Sequence, residues 1–262
     1  MTRLPTITLA LRLGAALLVL AAGGCDHSSD PPPPTADVLT LVRSVTLAIA
    51  EPSDLCLDGD GIHAWTVSDQ TGRVYRFRLA DGVVTGTLAF VGSDLEGIWQ
   101  DPLDGTLYVA EEGLRQVVHL DAEGSELGRV SVAGLGGDGN SGLEGLTFSP
   151  VTGRFHVVNE KGPALLLAVA ANGTVLDSRT VTFVADLSGI TWDATGSRLW
   201  VVSDESERVA AIDLAGAPLT EYSIPVDKAE GIAIDPVSGH IYVISDSESR
   251  LYEFRRGSDG MN

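Results

Sequence analysis

The sequence predicts an all-β fold, a five-bladed β-propeller closed by an N-terminal strand. Two observations predict it. A phrase of forty-odd residues recurs five times, and each copy holds short apolar strands separated by polar turns. The copies align at Asp54, Gly97, Gly145, Gly189 and Gly231, with gaps of 43, 48, 44 and 42 residues. A repeat of this period is typical of architectures such as propellers.

Each copy supplies an innermost strand and two or three strands outside it. The expected innermost strands are 54–57, 97–100, 145–148, 189–192 and 231–234, and the second strands are 63–68, 106–110, 154–159, 198–203 and 240–245. Third strands are expected at 73–79, 116–120, 164–169, 208–214 and 250–255, and fourth strands at 83–90, 126–132, 175–183 and 219–224. Asp-, Pro- and Gly-rich turns connect first and second strands, as at 101–105 and 235–239.

The fifth copy has no fourth strand, but residues 39–49 form an isolated apolar strand ahead of the first copy. We expect this N-terminal strand to complete the last blade. Closing the ring in this way protects sheet edges that would otherwise pair with other chains. The propeller is therefore expected to span residues 39–256, followed by a polar tail at 257–262.

The first 25 residues are typical of a lipoprotein signal peptide. Arg3 and Arg12 precede a short apolar run, and small residues lead to Cys25, the expected lipobox cysteine. The alternative is an ordinary cleaved signal. Residues 26–38 include four consecutive prolines, which favour a stiff, extended tether. The prediction is a protein of the bacterial cell envelope, lipid-anchored through Cys25 and facing the periplasm, at the inner membrane because Asp26 follows the cysteine.

Charge narrows the range of partners. The formal net charge is −19. Such an acidic chain disfavours binding to nucleic acid and to anionic lipid headgroups, and it favours cations. Scattered acidic residues also serve general solubility, so the informative ones are those that recur in register. Cys56, the one cysteine besides Cys25, lies in a predicted innermost strand and is expected to be a core residue.

Repeated motifs carry a family resemblance. They are Asp94-Leu-Glu-Gly-Ile98, Gly142-Leu-Glu-Gly-Leu146, Asp186-Leu-Ser-Gly-Ile190 and Ala229-Glu-Gly-Ile232, joined by Val158-Asn-Glu-Lys161, Val202-Ser-Asp-Glu205 and Ile244-Ser-Asp246. The sequence resembles the SdiA-regulated family of bacterial propellers from about Leu41 to Phe254. The resemblance implies a five-bladed propeller, distantly related to NHL-repeat propellers, with a bound calcium ion. The first copy departs from the pattern, with Ser53-Asp54 in place of Glu-Gly or Ser-Gly.

Eight carboxylates are expected to converge at one mouth of the propeller. The start of each innermost strand and the end of its antiparallel partner lie on the same face. Ser53, Glu96, Glu144, Ser188 and Glu230 stand at the first position, and Asp69, Glu111, Glu160, Asp204 and Asp246 stand at the second. Like charges this close need compensation, and calcium binds oxygen ligands with tolerant geometry. The sequence therefore predicts a divalent-cation site, centred on Glu96, Glu144 and Glu230, with Glu112 and Glu205 further out.

Alternative interpretations accompany this site. The acidic residues after the second strands could cap turns, as aspartate often does. No clustered cysteines and histidines point to zinc, since the histidines are scattered and mostly fall in predicted strands. Three functions follow: a calcium-binding module that binds or senses a protein or small-molecule ligand, a calcium-dependent hydrolase of phosphoesters or lactones, and a metal-independent interaction scaffold.

Overall fold

Twenty β-strands form five four-stranded antiparallel sheets in the computed structural model, which describes residues 38–133 and 142–257. The sheets are the blades of a five-bladed β-propeller, as predicted. Within the described ranges, no helix is long and apolar enough to cross a membrane. The expected signal peptide, the tether up to residue 37 and the tail beyond 257 lie outside the described residues.

Blades 1 to 5 are numbered along the chain, and the strands of each blade are given from the innermost to the outermost. The strands are β2 (Pro52–Leu57), β3 (His63–Ser68), β4 (Arg73–Arg78) and β5 (Val84–Thr87) in blade 1; β6 (Leu95–Gln100), β7 (Leu107–Glu111), β8 (Gln116–Leu120) and β9 (Glu126–Ser131) in blade 2; β10 (Leu143–Ser149), β11 (Arg154–Asn159), β12 (Leu165–Val169) and β13 (Val175–Thr180) in blade 3; β14 (Gly189–Asp193), β15 (Arg198–Ser203), β16 (Arg208–Ile212) and β17 (Pro218–Ser223) in blade 4; and β18 (Ala229–Ile234), β19 (Ile241–Ser245), β20 (Arg250–Arg256) and the N-terminal β1 (Leu39–Thr46) in blade 5.

The N-terminal strand closes the ring, as expected. β1 pairs antiparallel with β20, from Leu39 opposite Arg256 to Thr46 opposite Arg250. Leu39 joins an apolar cluster that also contains Phe254 of the same blade. First and last segments of the propeller domain are thereby held in one sheet, which removes the free edge that an incomplete fifth blade would present.

The hydrophobic core lies between neighbouring blades. One buried cluster combines Trp65 and Val74 of blade 1 with Ile98 and Val118 of blade 2, and the others combine residues of adjacent blades in the same way. The inner strands are accordingly buried almost continuously, as in β3 and β19, which is the pattern expected for strands packed on both faces. Cys56 belongs to this core, where it is a free and buried cysteine, as expected.

Glycines allow the innermost strands to meet around the axis. A Cβ on Gly97, Gly145 or Gly189 would lie 3.1–3.2 Å from the Cα of the equivalent glycine in the next blade. A Cβ on Gly231 would lie 2.7 Å from the Cα of Asp54. A Cβ at 2.7 Å would force the backbone to shift, and one at 3.1–3.2 Å would be unusually tight, so the four glycines favour close approach of the innermost strands.

Strand direction defines two faces of the propeller. The innermost strands begin, and the second strands end, at what we call the cavity face. The opposite face, which we call the turn face, carries the turns between first and second strands and between third and fourth strands. Because β1 occupies the position of a fourth strand, it starts at the turn face and ends at the cavity face.

Candidate metal centre

Three innermost strands begin with a β-bulge that contains a glutamate. In β6 the pairing moves from Leu95 to Gly97 while the partner strand advances by one residue, which leaves Glu96 unpaired. The same shift leaves Glu144 unpaired in β10 and Glu230 unpaired in β18. A bulge bends its strand and re-aims the extra side chain. The bulges thus place three glutamates at one cavity, although their strands are otherwise packed in the core.

The cavity lies at the cavity face and has a volume of about 460 Å³. One serine, one lysine and eight carboxylate residues line it: Ser53, Lys161, Asp69, Asp94, Glu96, Glu112, Glu144, Glu160, Glu230 and Asp246. Blades 1, 2, 3 and 5 all contribute carboxylates. Six of the eight predicted residues are brought together here, namely Asp69, Glu96, Glu144, Glu160, Glu230 and Asp246.

The other two predicted residues do not line this cavity. Glu111 is buried, pairs with Arg129 over 3.0 Å, and accepts a hydrogen bond from the backbone N–H of Ser93. Asp204 pairs with Lys228 over 2.8 Å and borders a separate, smaller cavity. Each of these two carboxylates is held in an ion pair away from the cavity lining.

The sequence alignment of blade 2 was wrong by one residue, and Glu112 takes the place expected for Glu111. Pairing shows this, because Leu95 is opposite Glu111 just as Leu143 is opposite Asn159, the residue before Glu160. A constant spacing could have revealed it. In every blade, sixteen residues separate the residue before the axial glycine or aspartate from the acidic residue that follows the second strand. The pairs are Ser53 and Asp69, Glu96 and Glu112, Glu144 and Glu160, Ser188 and Asp204, and Glu230 and Asp246.

Asp94 was also missed. It precedes Glu96 by two residues, has a positive φ of 57°, and lines the cavity. Asp69, Asp94 and Glu96 each offer a carboxylate oxygen, and these oxygens lie within 4.8 Å of one another. The repeated Asp-Leu motif was visible in the sequence. Its second copy begins with Asp186, which is turned inward instead and accepts hydrogen bonds from Ser188 and Ser203.

Burial, reinforced by neighbouring carboxylates, raises the pKa of the glutamates at the centre. Burial, followed by the charges of Glu96 and Glu112, raises the pKa of Glu144 to about 11. Burial also raises the pKa of Glu96 to about 9, with Asp69 and Glu230 adding to the shift against an opposing hydrogen bond from Ser53. Each shift measures the cost of holding the carboxylate ionised among like charges. A bound cation would remove that cost.

The surrounding carboxylates behave in the same way. Burial, opposed by the charge of Lys228, leaves the pKa of Glu230 raised to about 7. Burial and a hydrogen bond with Glu51 raise the pKa of Asp69 to about 6. The pKa values of Glu112 and Asp246 are raised as well, chiefly by burial. The cavity as a whole therefore disfavours the fully ionised state.

Two buried oxygens in the cavity have no hydrogen-bond partner. They are the Oδ1 atoms of Asp69 and Asp246. A buried acceptor without a donor is costly and calls for an explanation such as a bound ion. The carboxylates of the lining offer oxygen ligands for a metal ion. Lys161 also lines the cavity and carries a positive charge, and it pairs with Glu160 over 2.7 Å and with Glu205 over 3.0 Å. The donor set fits a hard divalent cation such as calcium.

The described histidines contribute to the fold elsewhere. His63 pairs with Asp60, His240 pairs with Glu253, and His119 stacks on Tyr108. His156 is buried, and burial lowers its pKa to about 4. These contacts agree with the interpretation of the histidines as strand residues.

Comparison with known proteins identifies the kind of propeller. The family model described as SdiA-regulated matches residues 49–255. Among solved structures, the crystal structure of Myxococcus xanthus glutaminyl cyclase superimposes with a TM-score of 0.67 at 18% sequence identity, over 86% of this chain and 98% of that one. A streptogramin B lyase structure gives a TM-score of 0.49 at 16% identity, over 84% of this chain and 72% of that one. At these identities the first structure shows a shared fold, and no conclusion rests on the second.

Proposed function

The chain belongs to the SdiA-regulated family, and we propose that it is a membrane-tethered, extracytoplasmic β-propeller that binds calcium at its cavity face and acts as a binding or sensing module. One observation carries the proposal. Eight carboxylates from four blades line one cavity, several with raised pKa values, and two of their buried oxygens have no partner.

Three carboxylates form the strongest candidate ligand set. Asp69, Asp94 and Glu96 present oxygens within 4.8 Å of one another, so one ion could contact all three. Glu144 and Glu230 lie on the same cavity and would complete the surroundings of the ion. Calcium takes about six to eight oxygen ligands and accepts carboxylates, carbonyls and water together. When bound, it would supply positive charge where the fold concentrates negative charge.

The distribution of the candidate carboxylates among the blades supports a sensing role. Asp69 belongs to blade 1, Glu96 to blade 2, Glu144 to blade 3 and Glu230 to blade 5. An ion held between blades stabilises the closed ring, because it binds the native state and not the separated strands. Calcium concentration would thereby be coupled to the rigidity of the cavity face, where a further ligand could dock.

The membrane tether is proposed from sequence. Cys25 follows small residues at the end of an apolar run, and the prolines at 31–34 follow it. These residues lie outside the described ranges. Lipid on Cys25 would hold the propeller at the periplasmic side of the inner membrane, and two or more acyl chains are needed for stable anchoring.

The metal proposal is tested on the soluble chain that lacks residues 1–25. Melting curves are recorded in chelator and in millimolar calcium, with magnesium as the control cation, and bound metal is measured by elemental analysis. A ligand at a hundredfold excess over its dissociation constant stabilises the native state by about 2.7 kcal/mol. An unchanged midpoint together with metal-free protein would contradict the proposal.

The lipid tether is tested by detergent partitioning, and the alternative hydrolase function is tested by a substrate screen. Wild type should partition into detergent, whereas Cys25→Ser should remain aqueous or keep its signal; two aqueous proteins would mean an ordinary secreted protein. Phosphoester and lactone substrates are then offered with and without calcium. Turnover that stops in chelator would favour the hydrolase interpretation over the binding module.

A further inference from the structure

Exposed aliphatic side chains concentrate on the turn face. Thirteen large hydrophobic side chains are exposed among the described residues. Nine of them lie in the turns of this face or at the strand ends that meet it: Val38, Ile62, Val83, Leu103, Leu127, Val151, Leu176, Leu219 and Val237. Two, Val91 and Leu114, lie at the cavity face, and Leu41 and Val42 lie within the outer strand β1. Singly exposed apolar residues are ordinary, so the informative feature is that most of them lie on one face.

The most exposed of these side chains stand at the tips of the turns between first and second strands. Leu103 and Val237 are each 93% exposed. Their turns are fixed by other residues, because the backbone N–H groups of Leu103 and Val237 donate to the carboxylates of Asp101 and Asp235. The turns therefore do not require an aliphatic side chain at the tip. Val151, at the corresponding turn of blade 3, is 66% exposed.

The centre of the turn face adds apolar and aromatic surface. A second cavity, of about 350 Å³, is lined by Trp99, Trp192 and Leu57, together with polar residues such as Asp58, Gln100 and Asp235. Val237 also borders it. Exposed aliphatic tips and a hollow with two tryptophans in its lining thus belong to one surface, while the opposite face carries the acidic cavity.

The N-terminal tether leaves from this same face. Val38 is exposed and precedes β1, which starts at the turn face, and the backbone N–H of Gly257 donates to its carbonyl. Thirteen residue steps separate Val38 from Cys25. A chain of that length reaches at most about 45 Å when fully extended. A lipid on Cys25 would therefore hold the propeller domain to the membrane from its turn face.

We propose that the turn face lies against the lipid bilayer, with the aliphatic turn tips contacting lipid and the acidic cavity directed away from the membrane. The inference rests on the lipid tether of the proposed function and adds an orientation to it. The occupant is the surface of a bilayer, and the tether supplies the high effective concentration that lets weak contacts form.

The acidic residues on the turn face determine which lipid headgroups this face can contact. Arg76 pairs with Asp58 and Asp60, and Arg78 pairs with Asp81. Other acidic residues remain ionised, and backbone and side-chain hydrogen bonds within the turns hold the pKa values of Asp104 and Asp235 below the usual range. Anionic headgroups would repel these charges, so contact is favoured with a zwitterionic surface.

The test places a fluorescent label on each face of the full lipoprotein. Leu103→Cys and Val237→Cys are labelled with an environment-sensitive dye, with Val91→Cys and Leu114→Cys as matched controls at the cavity face. Unmodified protein corrects for any reaction of the buried Cys56. The proteins are reconstituted into phosphatidylcholine vesicles whose acyl chains carry a quencher, and vesicle association is measured by flotation.

We expect labels at 103 and 237 to be quenched at least about twofold more than labels at 91 and 114, with a smaller difference in vesicles containing anionic phosphatidylglycerol at low salt. Flotation with equal or reversed quenching would overturn the orientation and leave the tether intact. Failure of wild type to float would overturn the tether and the orientation with it. A dye shift at 103 and 237 in concentrated protein without vesicles would assign the face to a second copy of this chain instead.

Discussion

The side chain of Asp54 joins blade 1 to blade 2. Its Oδ2 accepts the backbone N–H of Ile98 at 2.9 Å, while its Oδ1 accepts the backbone N–H of Leu55 at 2.8 Å. Asp54 is fully buried at the axial position where the other four blades have glycine. The departure of the first copy from the repeat is therefore a structural link between two blades at the centre of the ring.

Replacing this carboxylate should weaken the ring. In Asp54→Asn an NH₂ group faces one of the two backbone N–H donors, which leaves buried donors unsatisfied. Such a loss costs about 1–3 kcal/mol. Chemical denaturation of the variant should show a lower free energy of unfolding with an unchanged dependence on denaturant. Equal stability would mean that the two hydrogen bonds contribute nothing to the fold.

Adding one methyl group at the axis should also destabilise the propeller. The Cβ of Gly189→Ala would lie 2.7 Å from the carbonyl oxygen of Glu230 and 3.1 Å from the Cα of Gly231. Overpacking of this kind costs about 1–3 kcal/mol. Gly128→Ala is the control, since no atom lies within 4 Å of the position that its Cβ would take. Similar melting midpoints for the two variants would contradict close packing of the innermost strands.

Stability without metal should fall as the pH rises. The folded state raises the pKa of Glu230 from 4.5 to about 7 and that of Glu96 from 4.5 to about 9. The folded protein therefore retains protons that the unfolded chain releases. This contribution is fully present below about pH 4.5 and is lost as the pH rises from there to about 7 for Glu230 and about 9 for Glu96. In chelator, the melting midpoint should be higher at pH 5.5 than at pH 9. Calcium should reverse this trend, because it binds the ionised carboxylates.

Deleting the closing strand should destabilise the domain far more than shortening the tether. Removal of residues 39–46 strips β1 from blade 5 and exposes the edge of β20. Removal of residues 26–36 leaves every described strand in place. Limited proteolysis should degrade the first variant much faster than the second. Equal resistance would show that β1 is not needed to hold the ring closed.

Much of the fold was predictable because the sequence repeats the same strand pattern five times, once for each blade. The strands, the ring and its N-terminal closure followed from the spacing of the axial residues and from the missing fourth strand of the fifth copy. The site was less predictable in detail. In blade 2 two consecutive glutamates follow the second strand's apolar run, and Glu111 was chosen where the sixteen-residue spacing from Glu96 gives Glu112.

Local ion pairs and hydrogen bonds account for the remaining differences between the predicted and the observed cavity lining. Lys228 is not part of the repeated motif, yet it pairs with Asp204, which does not line the acidic cavity. Asp94 and Asp186 occupy equivalent places in the repeat but differ in environment, since Asp186 accepts hydrogen bonds from buried serines. Side-chain direction at such positions depends on partners from other strands, which the repeat alone does not specify.

Calorimetric titration of calcium into wild type and three glutamine variants tests the central claim most directly. We expect saturable binding by wild type and affinity reduced about tenfold or more, at least about 1.4 kcal/mol, in Glu96→Gln and Glu144→Gln. Glu205→Gln, which removes an exposed carboxylate that does not line the cavity, should bind like wild type. In chelator the two inner variants should melt at a higher temperature than wild type, because like-charge repulsion is relieved. Absence of binding by wild type, or equal binding by all four proteins, would contradict a calcium site in this cavity.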